Sequence, residues 1–187
     1  MKEGVLVISV CNEKLHELEF VRPIEDILRE NTIDYVVKHY KKISGSDLKN
    51  ANRVIICGTS LKDFDYFNYI DCFSWIENFE KPILGICAGM QVIGLIFGGK
   101  LEKQTNICMD FENFDDDFTE KFFDDGEITQ EIYLLHNNYV NLPNDFVKLN
   151  KGLGIPIAMK HKKKEIYSVL FHPEVRQKDL IKNFCLL

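Results

Sequence analysis

The sequence predicts an α/β fold: an open, mostly parallel central sheet flanked by helices, with a C-terminal β-hairpin extension. Three observations carry this. Short apolar runs recur through the first half of the chain: Val5–Val10, a second beginning at Tyr35–Val37, Val54–Cys57 and Pro82–Ile86. Each is bounded by turn or polar residues, as strands buried on both faces require. Helical patterns separate these runs. In the last third, Ile155–Lys160 and Ile166–Phe171 flank His161-Lys162-Lys163-Lys164-Glu165, a charged connection that reads as a hairpin tip.

The elements follow in order. Pro23–Glu30 predicts a helix, with Pro23 in the first turn, where a missing N–H costs nothing. Ile24, Ile27 and Leu28 share its buried face. Phe67, Ile70, Trp75, Ile76 and Phe79 form a rough helical stripe that reads as core packing. Asp110–Glu127 holds nine acidic residues in eighteen positions, interleaved with Phe111, Phe114, Phe118, Phe122 and Phe123. It reads as a solvated, partly anchored insertion. Its carboxylate spacing does not fit a calcium loop, so no metal is expected there. Gln177–Cys185 predicts a closing helix with Leu180, Ile181 and Phe184 on one face.

Composition narrows the function. The chain has 187 residues, 45% of them hydrophobic, which suits one domain over residues 1–187 burying roughly 70% of its unfolded surface. Twenty-three basic against 29 acidic residues leave a net charge of −6, against a nucleic-acid partner. No apolar run approaches the roughly 20 residues of a membrane span, and the N-terminus lacks the cleavage site of a secretory signal. A cytoplasmic protein is expected, its six cysteines reduced and none arranged as Cys-x-x-Cys.

Open α/β sheets bind ligands outside the carboxyl ends of their strands, so the places to look follow Val10, Cys57 and Ile86. Around Ile86 the chain reads Gly85-Ile86-Cys87-Ala88-Gly89-Met90-Gln91, with a helical pattern beyond it. Strand, Gly-x-Cys-x-Gly and helix make a nucleophile elbow, with cysteine where many hydrolases carry serine. Gly85 and Gly89 allow a tight turn, and the helix N-terminus favours negative charge on sulfur. The N–H of Ala88 points to where an oxyanion forms. A thiol doing acyl chemistry needs a base and an orienting group. Of the five histidines, His172 stands out in Phe171-His172-Pro173-Glu174-Val175, which follows an apolar strand. In an extended segment, His172 and Glu174 project to one side as imidazole and carboxylate orienter.

Gly85–Gln91, with Phe171-His172-Pro173-Glu174 some 85 positions on, resembles a class I glutamine amidotransferase domain over essentially the whole chain. Within that family it resembles the stand-alone glutamine subunit of GMP synthetases, but Ser9-Val10-Cys11-Asn12-Glu13 after the first strand lacks the Asp-x-Gly-x-Gln-Tyr-like pattern of those relatives, and anthranilate, imidazole-glycerol-phosphate and other amidotransferase subunits stay open. The resemblance implies a flavodoxin-like sheet and a triad of Cys87, His172 and Glu174. It implies hydrolysis of the glutamine side-chain amide through a thioester, with ammonia passed to a partner synthetase. It implies no cofactor or metal. It also implies that Gln91 helps hold the substrate. The family's Ser-Gly-Gly-Pro-like turn, which supplies the second oxyanion N–H, corresponds to Cys57-Gly58-Thr59-Ser60, with Thr59, beside Gly58, at the donor position. The substrate-binding Ser-His-x-Asp-like segment corresponds to Leu135-His136-Asn137-Asn138, placing His136 and Asn137 near the glutamine backbone. A β-branched Thr59 predicts a reshaped loop. The alternatives are a free-standing hydrolase of a γ-glutamyl compound, and a weakly active regulatory or binding subunit on the same scaffold.

Overall fold

Seven strands form one sheet in the order β2-β1-β3-β4-β9-β8-β7, and β5 pairs with β6 in a separate two-stranded sheet. The computed structural model describes residues 4–152 and 154–187; Met1–Glu3 and Leu153 lie outside the described residues. In chain order the elements are β1 (Gly4–Ser9), α1 (Glu17–Phe20), α2 (Arg22–Glu30), β2 (Tyr35–His39), α3 (Gly45–Asn50), β3 (Ala51–Ile56), α4 (Asp65–Asn68), β4 (Ile83–Ile86), α5 (Ala88–Ile96), β5 (Leu101–Asn113), α6 (Asp116–Phe122), β6 (Thr129–Val140), β7 (Phe146–Lys148), β8 (Ala158–His161), β9 (Ile166–Val169) and α7 (Lys178–Phe184). Short 3-10 segments cover Lys14–His16, Tyr40–Lys42 and Ile70–Asn78.

The parallel part runs from β2 through β1, β3 and β4 to β9. Strands β4 and β9 are buried along their whole length, as strands covered on both faces must be. The predicted C-terminal hairpin is present: β8 pairs antiparallel with β9, and β7 with β8, so the hairpin widens the main sheet. Helix α2 begins with Pro23 in its first turn and buries Ile24, Ile27 and Leu28, following the predicted apolar face.

Three stretches differ from the sequence reading. The stripe between residues 67 and 79 is not an α-helix but α4 followed by a nine-residue 3-10 segment. The reason is visible in the spacing. Phe67, Ile70, Phe73, Ile76 and Phe79 recur every third residue, matching three residues per turn, and Phe73 and Ile76 are fully buried. The acidic stretch keeps most of its acids exposed, as a solvated, partly anchored insertion does, but it is anchored more deeply than the sequence reading has it. Phe114, Phe118, Phe122 and Phe123 are core residues, and the Phe114 ring meets Phe171 at 5.7 Å. Its acids serve helix α6 instead: Asp115 caps it by accepting from the Phe118 N–H at 2.7 Å, and Asp116 and Asp117 sit in its first turn. Only Phe111 of the five phenylalanines is exposed. The third difference is the long β5–β6 ladder, which the sequence reading does not contain. Strand β5 is solvated over most of its length, so no apolar alternation marks it.

One glycine sets how closely helix α5 approaches the sheet. A Cβ on Gly89 would lie 2.3 Å from the Ile56 carbonyl oxygen. Backbone cannot yield there, so Gly89→Ala is expected to lower stability by about 1–3 kcal/mol. A urea titration checks this, and an unchanged midpoint would contradict the close approach.

Candidate active site

The carboxyl ends of β3, β4 and β9 converge on one place. Cys87 follows β4 and adopts φ +49°, ψ −100°, a conformation non-glycine residues rarely take. Its backbone is fastened on both sides. Its N–H donates to the Val169 carbonyl of β9 at 2.8 Å, and its carbonyl accepts the Gln91 N–H at 3.1 Å, opening helix α5. The strain is therefore maintained by the sheet and the helix together.

His172 follows β9, and its N–H donates to the Tyr133 carbonyl of β6 at 2.9 Å. Its Nδ1 lies 2.8 Å from Glu174 Oε1, with both side chains buried. The two do not share an extended segment, as the sequence reading has it. Residues 172–175 form a turn closed by the Val175 N–H on the His172 carbonyl at 3.1 Å. Pro173 occupies the second position of that turn, where its fixed φ fits. The rings of Phe20 and Tyr133 stand 5.5 and 6.1 Å from the imidazole. Burial opposes charge on His172, yet the Glu174 carboxylate and Cys87 beside it prevail and hold its pKa well above the usual value. With Nδ1 engaged by the carboxylate, Nε2 has no hydrogen-bond partner among the described residues.

Gly58, after β3, fits between the two. A Cβ built on it would lie 2.6 Å from His172 Cε1 and 3.5 Å from Cys87 Cβ, so only glycine lets the imidazole lie over this turn. Thr59 comes next and is buried. The reshaping expected of a β-branched residue here is not backbone strain: among described residues, only Thr32 and Cys87 are non-glycines at positive φ.

Cys87, Ala88, Thr59, Gln91, His136 and Asn137 line one small cavity. Gly58, His172 and Glu174 are not part of its lining. Gln91 is fully engaged: its amide donates to the Asn138 carbonyl at 2.8 Å, and its oxygen accepts from Tyr66 at 2.8 Å. Burial lowers the pKa of His136, favouring neutral imidazole. Asn137 donates to the Leu61 carbonyl at 3.2 Å and accepts from Thr105 at 3.1 Å. The Cys87 thiol donates to the Leu135 carbonyl at 3.5 Å. The cavity measures about 20 Å³, room for roughly one water. The Asn137–Leu61 bond ties the loop after β3 to β6 across this cavity. Larger hollows exist, of about 380 Å³ at the amino ends of β1–β3 and about 560 Å³ beside α6, but Cys87 lines neither.

Sequence reasoning missed Tyr66, Asp63 and the Leu135 carbonyl. Only Asp63 left a local trace, four residues after Thr59. Tyr66 and Leu135 reach the site across 25 and 48 residues. All six cysteines are free. Burial pushes the thiols of Cys11 and Cys57 up, and that of Cys185 to about 12, so these three are poor nucleophiles at neutral pH.

The fold and the elbow define the class: an α/β protein with a cysteine at a strand-to-helix elbow and a buried imidazole–carboxylate pair nearby. A family model for class-I glutamine amidotransferases matches residues 16–185. The chain belongs to that family. It is 36% identical over 155 residues to the glutamine-hydrolyzing GMP synthase of Acetivibrio thermocellus, spanning 80% of this chain but 30% of that relative. It is 32% identical over 174 residues to a separate subunit of the glutamine-hydrolyzing GMP synthase of Pyrococcus abyssi, spanning 88% of this chain and 80% of that one. In fold it matches a Thermoplasma acidophilum structure provisionally assigned as a GMP synthase subunit, with a TM-score of 0.83 at 23% identity over 99% of this chain and 93% of that one. No described helix is long and apolar enough to cross a membrane.

Proposed function

We propose that this chain hydrolyses the side-chain amide of glutamine and passes the ammonia to a synthetase of the GMP synthase type. The observation that carries this reading is the strained Cys87 elbow with the buried His172–Glu174 pair beside it. The choice of partner rests on the relatives, of which one is a separate subunit, the other a longer protein of which this chain spans 30%.

Each residue then has a role. Cys87 sulfur attacks the amide carbon as thiolate, its proton passing to His172. The carbonyl oxygen becomes an oxyanion, met by backbone N–H groups of Ala88 and of the Gly58–Thr59 turn. His172 returns the proton to the leaving nitrogen, and ammonia departs from a glutamyl thioester. His172 next takes a proton from water, which breaks the thioester and releases glutamate. Glu174, on Nδ1, fixes the imidazole tautomer and stabilises its charged form. Gln91, locked between Tyr66 and Asn138, forms a fixed wall, and His136 and Asn137 hold the α-amino and carboxylate end of the substrate.

The test is incubation of the purified chain with an electrophilic ketone analogue of glutamine, followed by peptide mass analysis. Stoichiometric labelling of Cys87, blocked by excess glutamine, is expected. Labelling that spreads over the exposed Cys72 and Cys108 with Cys87 untouched would overturn the reading. A second outcome concerns the turn beneath the imidazole. Gly58→Ala drives a methyl into His172 and is expected to lower kcat about 10²-fold, the cost of misplacing a catalytic group by about 1 Å. An unaltered kcat would remove Gly58 from the site.

A further inference from the structure

We propose that Asp63 is a positioning residue for glutamine hydrolysis: its carboxylate ties down Thr59 so that the turn after β3 presents its N–H groups to the oxyanion. The proposal rests on the glutaminase reading above. Asp63 is 4% exposed, and a single oxygen, Oδ2, gathers three donors from two segments, the β1–α1 connection and the turn after β3. These are the Thr59 hydroxyl at 2.6 Å, His16 Nδ1 at 2.8 Å and the Asn12 N–H at 3.0 Å. The Asp63 N–H closes the loop by donating to the Ser60 carbonyl at 2.9 Å.

A buried carboxylate is costly unless donors compensate it. Here they do: burial pushes the Asp63 pKa up, but the Thr59 hydroxyl, His16 and the Asn12 N–H outweigh it and hold it below the usual range. The 2.6 Å bond from Thr59 has the length of a charge-assisted contact. No proline stiffens residues 57–63, so the tether supplies the rigidity an oxyanion site needs before the reaction begins. Thr59, Asp63, Cys87 and Ala88 line the same cavity, so the fixed loop faces the nucleophile. With Oδ2 committed to Thr59, His16 and Asn12, Asp63 acts through Thr59. Thr59 thus has a use for its side chain that a backbone donor alone would not explain.

The test uses the full chain and three substitutions: Thr59→Val, which keeps the shape and removes the hydroxyl, Thr59→Ser, which keeps the hydroxyl, and Asp63→Asn. Glutamate release gives kcat and KM, and a glutamine-analogue ketone reports labelling of Cys87. Thr59→Val and Asp63→Asn are expected to lower kcat about 10–10²-fold with KM changed less than about threefold, since a misplaced donor costs less than a deleted one. Thr59→Ser is expected to recover most of the loss. Melting temperatures separate positioning from unfolding, and if Thr59→Val does not fold, Asp63→Asn carries the same comparison. Wild-type kcat in Thr59→Val and Asp63→Asn, or a Thr59→Ser protein as slow as Thr59→Val, would overturn the proposal alone. A wild-type chain that neither releases glutamate nor is labelled at Cys87 would overturn the glutaminase reading and this proposal with it.

Discussion

Replacing Cys87 with alanine is expected to reduce glutamine hydrolysis by at least about 10⁴-fold, the scale on which removing a covalent nucleophile acts. The fold should survive. Alanine keeps the Cβ, so it meets the same φ of +49° with no new clash. The backbone bonds to Val169 and Gln91 involve no sulfur. What is lost is one buried sulfur and its bond to the Leu135 carbonyl. The melting temperature should move by no more than about 4 °C, the shift that about 1 kcal/mol produces in a chain of this size. Parallel thermal melts and glutamate-release assays check both halves. A purified Cys87→Ala protein with wild-type turnover would refute covalent catalysis at this site.

His172→Ala is expected to fall nearly as far as Cys87→Ala, and Glu174→Gln to retain about 10–10²-fold more activity than His172→Ala. The asymmetry follows from the geometry. In the proposed mechanism the imidazole moves protons in both half-reactions, whereas the carboxylate touches only Nδ1, 2.8 Å away. Glutamine keeps an oxygen for that N–H but removes the charge. Burial by itself holds the His172 pKa low, and the Glu174 carboxylate is the foremost of the groups that raise it. The histidine-linked pKa in the profile of kcat/KM should therefore move down in Glu174→Gln. Equal losses in the two variants, with no movement of the profile, would mean that Glu174 does more than orient and charge the ring.

Much of this protein was legible before any coordinates. The parallel strands announced themselves as apolar runs because both of their faces are covered. The elbow was legible because a sharp strand-to-helix turn restricts residue choice within a few positions. Gly89 cannot be larger against the Ile56 carbonyl, and Cys87 must stand between strand and helix. His172 and Glu174 were legible because they sit two apart around a proline. The segment over 67–79 was legible as a stripe packed on the core, but not as 3-10, because apolar residues at a spacing of three also touch an α-helical pattern. The anchoring of the acidic stretch was legible only in part, because the charges around its phenylalanines serve α6 and its cap, while the rings face the other way into the core.

What the sequence determined by itself was the class of fold and the local arrangement at its centre: a parallel sheet, a thiol at an elbow, and an imidazole with a carboxylate beside it. These depend on local geometry, where residue type and short spacing carry the information. What only the tertiary structure decided was how the site is held. Gln91 is wedged between Tyr66 and Asn138, Asn137 bridges to Leu61, and Asp63 joins Thr59, His16 and Asn12. Apart from the Thr59–Asp63 pair, four residues apart, these contacts join segments separated by 25 to 76 residues. A hydrogen bond across such a distance leaves no period or spacing in the chain, and exists only once the sheet has brought its strand ends together.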